Sequence, residues 1–367
     1  MMENNQNIEK PHKLETMLVL QGGGSLGAYE CGVFSVLHKN NIKFDMVIGT
    51  SIGAVNASII AGTKNQDNVS ERLEEFWDEL SESITPEFLP ENMRTYQSVL
   101  NSMLFGSTNV VKPYFGFPNP WMLAGSKPFL YDNTPLKNTL KKYVNFDFLN
   151  KENGLRLLVT AVNIQTGKPI VFDSDKTKID IDHIMSSTGY PFYGINWTKK
   201  DGMYLWDGSL MSNTPFREAV NASPKKDKIV YLVSLFPKSH DILPQNMEES
   251  WHRARDIIYS DKTDHNIMMS KVFSRYLTLL KEMYVILGKA KLDENSKQKF
   301  QNLKPEYAKL VAKRGAIIKD MIKIERTEDS HFFLEDADFS KKTIRQLVHD
   351  GKNDAVKALA IHHKKLV

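Results

Sequence analysis

Short runs of apolar and β-branched residues alternate with helix-like segments as far as about residue 240. The runs that match strands are residues 17–21, 46–50, 156–163, 169–173 and 228–236. Helical patterns follow the first two runs, over residues 28–39 and 52–61. Such alternation is typical of a parallel sheet that is covered by helices. The pattern therefore predicts an α/β fold, a three-layer sandwich around a mostly parallel central sheet.

From about residue 241 the apolar residues recur at helical spacing, with lysines and arginines on the opposite positions. This pattern covers residues 248–260, 271–291, 305–326 and 341–367. Amphipathic spacing of this kind predicts helices with one buried face. We therefore divide the chain into a flexible N-terminus (1–15), an α/β domain (16–240) and a helical C-terminal region (241–367).

Residues 103–131 differ from both parts because they mix aromatic residues with prolines and glycines. This composition predicts an irregular but ordered excursion from the sheet. Its aromatic residues could simply pack over the sheet. Long loops in compact domains often have functions, so the alternative is a wall that binds an acyl chain or a lid that touches a membrane.

Composition narrows the classes of protein that fit. The chain has 41% hydrophobic and 25% charged residues and a net charge of +4, which gives no indication of nucleic-acid binding. A single cysteine, Cys31, excludes an intramolecular disulfide. The first residues lack the apolar core of a secretory signal, and no apolar run reaches the length of a membrane span. We expect a cytoplasmic protein, with contact at a membrane surface and leaderless export left open.

The first glycine cluster, Gly22-x-Gly24-x-x-Gly27, has the spacing of a dinucleotide-binding loop. That fingerprint also requires an acidic residue at the end of the second strand, about 20 residues on. Here the second strand ends in Gly-Thr-Ser, and Asp45 lies at its beginning. The spacing therefore does not favour nucleotide binding.

The second cluster, Gly49-x-Ser51-x-Gly53, follows a strand and precedes a helix. This context predicts a nucleophile elbow, a tight turn that projects the Ser51 hydroxyl above the sheet. Acyl transfer by a serine also needs N–H donors for the oxyanion. The N–H groups of Gly22, Gly23 and Gly24, at the start of a helix, are suited to that role.

A base must accept the proton of Ser51. Asp207-Gly208 follows a short apolar run and precedes a helix that starts near Pro215. From spacing alone, this pair could equally be an ordinary turn. A triad with His240 or His252 as base is the alternative, because both follow in the chain order of such enzymes.

Together these motifs resemble the patatin-like phospholipase family. The resemblance rests on the glycine loop (residues 22–27), the elbow (49–53) and Asp207-Gly208-Ser209. It implies a Ser51–Asp207 dyad without histidine, metal or cofactor, and an oxyanion hole at Gly22, Gly23 and Gly24. The glycines that would support these motifs are Gly27, Gly49, Gly53 and Gly208. Residues 235–263 are similar to an extra C-terminal region of one bacterial subgroup.

Two positions depart from the family pattern. Leu26 stands where many members carry Arg or Lys, and Ser209 stands where many have Gly or Ala. The resemblance implies hydrolysis of carboxylic esters in phospholipids or lysophospholipids. A catalytically weak lipid- or protein-binding module on the same fold is the alternative. Expected partners are a lipid or membrane surface, and a second copy bound through the C-terminal helices, but not nucleic acid.

Overall fold

The computed structural model describes residues 14–107, 109–114, 128–222, 226–240, 243–313, 317–327 and 334–366. The strands are β1 (Glu15–Leu20), β2 (Met46–Gly49), β3 (Lys112–Pro113), β4 (Tyr131–Asp132), β5 (Arg156–Asn163), β6 (Pro169–Asp173), β7 (Thr198–Lys200), β8 (Met203–Asp207), β9 (Lys228–Ser234) and β10 (Ile318–Glu325). The helices are α1 (Gly27–Lys39), α2 (Ile52–Gly62), α3 (Val69–Leu80), α4 (Glu91–Phe105), α5 (Thr134–Tyr143), α6 (Phe146–Leu149), α7 (Ile181–Met185), α8 (Phe216–Asn221), α9 (Met247–Lys289), α10 (Glu294–Lys313) and α11 (Lys341–Leu366).

The central sheet has the strand order β10-β9-β1-β2-β5-β8-β7, and β6 pairs with β5 outside this path. Strands β10, β9, β1, β2 and β5 are parallel, whereas β6, β7 and β8 are antiparallel to their neighbours. The five predicted strands are all present, and the mostly parallel sheet is confirmed.

Side chains of β1 alternate between two hydrophobic cores on opposite faces of the sheet. Leu18 and Leu20 pack in a core with α1, α2 and α3. Met17 and Val19 pack in a second core with Phe216 of α8. Because both faces of a parallel sheet are covered, its strands are apolar on both sides. The three-layer arrangement predicted from the sequence is therefore correct.

Helix α11 packs against α1 at very short range. A Cβ atom on Gly32 of α1 would overlap the backbone carbonyl of Val348, and one on Gly351 of α11 would overlap the carbonyl of Tyr29. Two helix backbones can approach this closely only where side chains are missing. The last helix of the chain therefore belongs to the helical layer of the α/β domain.

The helical prediction for residues 305–326 is wrong at its end, because Ile318–Glu325 forms strand β10, parallel to β9. Ile322 and Ile324 are buried at alternate positions, the period of a strand. Lys319 and Lys323 resemble helix-face residues, but charged side chains are equally common on edge strands. Thus the region after residue 240 is helical but also completes the sheet.

The start of the chain and the 103–131 excursion fall partly outside the described residues. Residues 1–13 of the predicted flexible N-terminus are not described, but Glu15 is buried in β1 and pairs with Lys228. Residue 15 therefore belongs to the sheet. Of the excursion, 103–107, 109–114 and 128–131 are described and include the end of α4 and strand β3. Within the described residues, no helix combines the length and apolar character needed to cross a membrane.

Candidate active site

Ser51 occupies the turn between β2 and α2. Its backbone has φ 55° and ψ −127°, in a region that non-glycine residues rarely adopt. Such a conformation costs about 1–3 kcal/mol and is concentrated at functional sites. The turn is tight, since a Cβ on Gly49 would overlap the carbonyl of Gly53 and one on Gly53 would lie 2.7 Å from the carbonyl oxygen of Gln21. Both predicted glycines are thus needed for the close approach.

The register of β5 explains why Asp207 lies beside the elbow. Val159 of β5 pairs with Gly49 of β2 on one edge and with β6 on the other. Two residues later, Ala161 still pairs with β6 but has Asp207 of β8 as its other partner. Since β6 holds one edge throughout, β8 takes over the edge that β2 leaves. Asp207 therefore lies just beyond the end of β2, where Ser51 begins the turn.

The Asp207 carboxyl is buried, with only 1% of the residue exposed. Its Oδ1 accepts a hydrogen bond from the Ser209 N–H at 2.8 Å. Burial raises the pKa of Asp207 to about 6, although hydrogen bonding from the side chains of Ser51 and Ser209 lowers it. Oδ2 lacks a hydrogen bond of normal geometry within the described residues. The side chains of Ser51 and Asp207 are therefore neighbours, as the predicted dyad requires, and catalytic hydrogen bonds are often long before substrate binds.

Hydrogen bonds and close packing join the turn at Ser51 and the turn at Asp207 to strand β5 and its neighbours. The hydroxyls of Thr50 and Thr160 are 2.7 Å apart, which joins the elbow to β5. The Ser51 N–H donates to Ser187 Oγ at 2.8 Å. A Cβ on Gly208 would overlap Thr160, so this glycine lets the Asp207 turn press against the same strand. Thr160 carried no recognisable signal in the sequence.

The hydrogen bonds of the glycine loop leave two of the three predicted N–H groups available as oxyanion donors. The Gly22 N–H donates to the Asn213 carbonyl at 3.1 Å, and Asn213 Nδ2 donates back to the Gly22 carbonyl at 3.0 Å. Gly22 therefore cannot serve as an oxyanion donor in this arrangement. The N–H groups of Gly23 and Gly24 have no acceptor among the described residues, and Gly24 has φ 54°. These two amides are the available donors.

Glu30, a buried acidic residue of α1, forms a hydrogen bond with the residue that precedes the glycine loop. Its carboxylate accepts hydrogen bonds from the Gln21 N–H at 2.7 Å and from Asn56 Nδ2 at 2.9 Å. Burial raises the pKa of Glu30 to about 8. Gly27, on the same helix, packs against Ile52 and Trp77. Sequence reasoning missed Glu30 and Asn56, because a supporting hydrogen-bond network has no characteristic spacing.

A cavity of about 580 Å³ opens beside Ser51. Its lining is mainly apolar and comes from α4, the 103–131 excursion, the 188–195 segment and the segment after β10. The lining residues are Gly24, Ser51, Ile52, Val99, Ser102, Met103, Ser107, Val110, Val111, Leu130, Tyr131, Asn133, Leu136, Thr188, Phe192, Tyr193, Ile195, Leu334, Asp336, Ala337 and Phe339. The described part of the excursion thus forms a wall of this cavity.

The two histidines of the alternative triad lie in another cluster. His240 Nε2 is 3.2 Å from Asp256 Oδ2, and His252 Nδ1 is 3.4 Å from the same oxygen. His252 Nε2 also lies 3.5 Å from Glu335 Oε1. Both rings therefore lie against carboxylates of helix α9 and of the C-terminal segment. The carboxyl adjacent to Ser51 is that of Asp207.

Known proteins are similar in sequence to the part of the chain that contains Ser51 and Asp207. The sequence profile described as "Patatin-like phospholipase" matches residues 18–220. Two curated proteins named cGAMP-activated phospholipase are similar to this chain: 22% identity over 261 residues in Escherichia coli (strain TW11681), and 24% over 241 residues in Vibrio cholerae serotype O1 (strain ATCC 39315 / El Tor Inaba N16961). The alignments cover 62% and 58% of this chain and 63% and 59% of the relatives. The chain therefore spans about six-tenths of the length of these relatives.

Two solved structures show a weaker likeness. VipD from Legionella pneumophila has 15% identity and a TM-score of 0.37, over 96% of this chain and 67% of that one. The type III effector protein ExoU has 12% identity and a TM-score of 0.29, over 95% of this chain and 53% of that one. Similarity at this level carries no argument about function.

Proposed function

Because the chain belongs to the patatin-like phospholipase family, we propose that it is a lipid acyl hydrolase with a Ser51–Asp207 dyad. Its substrates are carboxylic esters of phospholipids or lysophospholipids. The observation that carries this proposal is a strained serine that lines an apolar cavity and has a buried aspartate beside it. Gly23 and Gly24 add two N–H groups that have no acceptor within the described residues.

In the first half-reaction Ser51 Oγ attacks the ester carbonyl while its proton passes to Asp207. The tetrahedral intermediate carries a negative oxygen, which the N–H groups of Gly23 and Gly24 stabilise. The bond to the leaving alcohol then breaks, and Asp207 returns the proton to the alcohol oxygen. The acyl group stays on Ser51 as an ester.

In the second half-reaction water replaces the alcohol. Asp207 accepts a proton from water as its oxygen attacks the acyl carbonyl, and the same two amides hold the new oxyanion. The bond between Ser51 Oγ and the acyl carbon breaks, and the proton passes from Asp207 to Ser51. The products are a fatty acid and the regenerated enzyme.

The environment of Asp207 supports its role as base. An aspartate with the ordinary pKa of about 3.9 accepts protons poorly at neutral pH. Burial raises the pKa of Asp207 to about 6, so the carboxylate remains mostly ionised at pH 7 and is a stronger base. The best catalytic pKa lies near the working pH, and this shift moves Asp207 in that direction.

The cavity supports a fatty acyl chain as the group to be transferred. Its volume falls within the range of ligand pockets, and its walls offer apolar contacts along most of its length. Met103, Leu130 and Phe192 belong to the lining yet remain exposed, so apolar surface continues to the rim. We propose peripheral contact with a lipid surface at this rim, because exposed apolar patches commonly mark such contacts.

The experiment compares the wild type with Ser51→Ala and Asp207→Asn on p-nitrophenyl butyrate and on phosphatidylcholine and lysophosphatidylcholine vesicles. Both relatives are named cGAMP-activated, so each assay is run with and without cGAMP. We expect Ser51→Ala to lower kcat by about 10³-fold or more. Vesicle flotation of the same variants separates binding from turnover. Equal activity of the wild type and Ser51→Ala, with binding retained, would favour the lipid-binding module.

A further inference from the structure

The segment Leu334–Phe339 forms part of the active-site cavity, although it lies far outside the residues that the family profile matches. Leu334, Ala337 and Phe339 line the cavity that contains Ser51. Its central residues, Glu335–Ala337, form a short 3₁₀ helix. The cavity is therefore completed by residues that come more than a hundred positions after the matched region.

This segment presses directly on the oxyanion loop. A Cβ atom on Gly24 would overlap the backbone carbonyl of Asp336. The Ser25 hydroxyl donates a hydrogen bond to the Glu335 carbonyl at 3.0 Å. The position of the loop that carries the Gly23 and Gly24 amides therefore depends on where this segment lies.

Two buried arginines hold the segment in place through Glu335. Arg255 Nη2 of α9 donates to Glu335 Oε1 at 2.9 Å, and Arg326 Nη2, which follows β10, donates to Oε2 at 2.8 Å. All three residues are less than a tenth exposed. Arg326 Nη1 also donates to the Leu235 carbonyl at 3.1 Å, just after β9. We call Arg255, Arg326 and Glu335 the arginine–glutamate clamp.

The clamp also reaches a second segment of the cavity wall, through Asp336. Arg255 Nη1 is 3.5 Å from Asp336 Oδ1. The same carboxylate accepts hydrogen bonds from the Tyr193 hydroxyl at 2.8 and 3.0 Å. Tyr193 and Asp336 both line the cavity. A displacement of Glu335 would therefore move the cavity wall together with the loop.

We infer that the arginine–glutamate clamp is a positioning device, which holds residues 334–339 against Gly24 and so sets the oxyanion amides and one wall of the acyl cavity. This inference rests on the proposed function. The clamp residues have no contact with the reacting atoms in this mechanism, so Arg255 is a positioning residue. Residues 18–220, which the family profile matches, therefore do not contain the whole active site.

The expected kinetic effect follows from how oxyanion donors work. They stabilise the transition state only when they already point at the developing charge. A misplacement of about 1 Å can cost about a hundredfold in rate. Because the loss affects the transition state more than the bound ester, kcat should fall while KM for a short ester stays nearly constant.

The test uses the full chain and p-nitrophenyl butyrate and dodecanoate. We expect Arg255→Met to lower kcat about ten- to a hundredfold on both esters. It should also raise KM for the dodecanoate, since the cavity wall moves. Arg255→Lys keeps the charge and should recover part of kcat. The matched control is Arg275→Met, an exposed arginine on the same helix, which should behave like the wild type.

A second variant guards against misfolding of the first. Ala337→Phe projects a larger side chain from the segment into the cavity. It should lower kcat/KM for the dodecanoate about tenfold more than for the butyrate. In the Ser51→Ala background, it should also weaken the binding of cis-parinaric acid, a fluorescent fatty acid.

The outcomes separate this inference from the proposed function. A folded Arg255→Met with wild-type kcat on both esters would overturn the clamp, as would an Ala337→Phe variant with unchanged fatty-acid binding. If the wild type hydrolyses no ester but Ala337→Phe and Arg255→Met still weaken cis-parinaric acid binding, the cavity wall stands and the proposed activity fails.

Discussion

Two parts of the region after residue 240 differ in what they contact. The inner part consists of β10, the 334–339 segment and α11. It extends the sheet, lines the cavity and packs on α1. The outer part consists of the second half of α9 and α10, a helical hairpin over residues 268–313. A similar helical sequence pattern can therefore belong to an active site or extend away from it.

The outer hairpin approaches the sheet at the amino-terminal end of the parallel strands, opposite the end at which Ser51 lies. Helix α9 passes Glu335 at Arg255, while its residues 274–282 share a surface pocket with Ile318 at the start of β10. Ser51 instead follows the end of the parallel strand β2. The hairpin holds together through stacked rings of Tyr284 and Tyr307, 3.9 Å apart. Many of its other apolar side chains are exposed: Met268, Phe273, Tyr276, Leu279, Leu280, Met283 and Ile286.

Charge separates the two parts as well. Residues 268–313 carry ten lysines and arginines against four acidic residues, more positive charge than the +4 of the whole chain. The inner part instead buries acidic side chains, including Glu335, Asp336 and Asp338. Buried charges must be paired, whereas charges on an exposed helix stay solvated. The buried charges of the inner part therefore require a fixed geometry, whereas the solvated charges of the outer part do not.

The largest expected effect comes from Asp207→Asn in the proposed active site. We expect kcat to fall by about 10³-fold or more, because the amide cannot accept the Ser51 proton. The free energy of unfolding, in contrast, should increase. The folded pKa of Asp207 is raised to about 6 from 3.8, so the stabilising effect of its protonation is complete below about pH 4 and is lost as pH rises through 6.

Asparagine has no ionised form to desolvate. Asp207→Asn should therefore be more stable than the wild type by about 3 kcal/mol at pH 8, with no gain at pH 4. Urea unfolding at the two pH values measures this. A variant that loses activity and also loses stability at pH 8 would contradict the burial argument, and would point to a structural role for the carboxylate.

A pair of helical glycines tests the difference in packing between the two parts. Gly32→Ala places a Cβ where the Val348 carbonyl lies, so it should destabilise the protein by about 1–3 kcal/mol. The matched variant is Gly288→Ala in the outer hairpin, where no described atom outside the adjacent helix backbone lies within 4 Å of the new Cβ. It should gain a few tenths to about 1 kcal/mol from helix propensity. Equal effects at the two sites, measured by thermal unfolding, would remove the distinction.

A smaller effect is expected from Ser209→Ala, at the position that departs from the family pattern. The Ser209 side chain lowers the pKa of Asp207 by hydrogen bonding. Its removal should raise that pKa, so the acid limb of kcat/KM moves to higher pH. Activity at pH 6 should fall, while activity at pH 8 stays near the wild-type value. An acid limb that does not move would mean that another group controls it.

The sequence predicted the parts of the site that depend on local spacing. Ser51 and its glycines were predictable because a strand, a tight turn and a helix follow one another within a few residues. Asp207 gained support from a family resemblance, but its proximity to Ser51 depends on β8 replacing β2 along β5, which no local pattern records. The hydrogen bonds between Gly22 and Asn213 had no such local pattern, because the two residues lie 191 positions apart.

The inner C-terminal part was the least predictable for the same reason. Arg255 and Glu335 are 80 positions apart, and neither stands in a motif. Strand β10 carries alternating isoleucines, but its lysines and its helical surroundings gave it the pattern of another helix. Edge strands bear charged side chains to prevent further pairing, so composition alone could not separate the two.

The smallest effect should come from removing the outer hairpin. Because residues 274–279 lie near Ile318, a short Gly-Ser linker can replace residues 280–316 and still reach β10. We expect kcat on p-nitrophenyl butyrate to remain within about twofold of the wild type, since the clamp and the cavity are retained. Size-exclusion chromatography of the shortened chain also tests the predicted homo-oligomer. If the oligomer is lost while kcat is retained, the hairpin serves assembly and not catalysis. A large fall in kcat would mean that its contacts reach the site through α9, and the separation into inner and outer parts would fail.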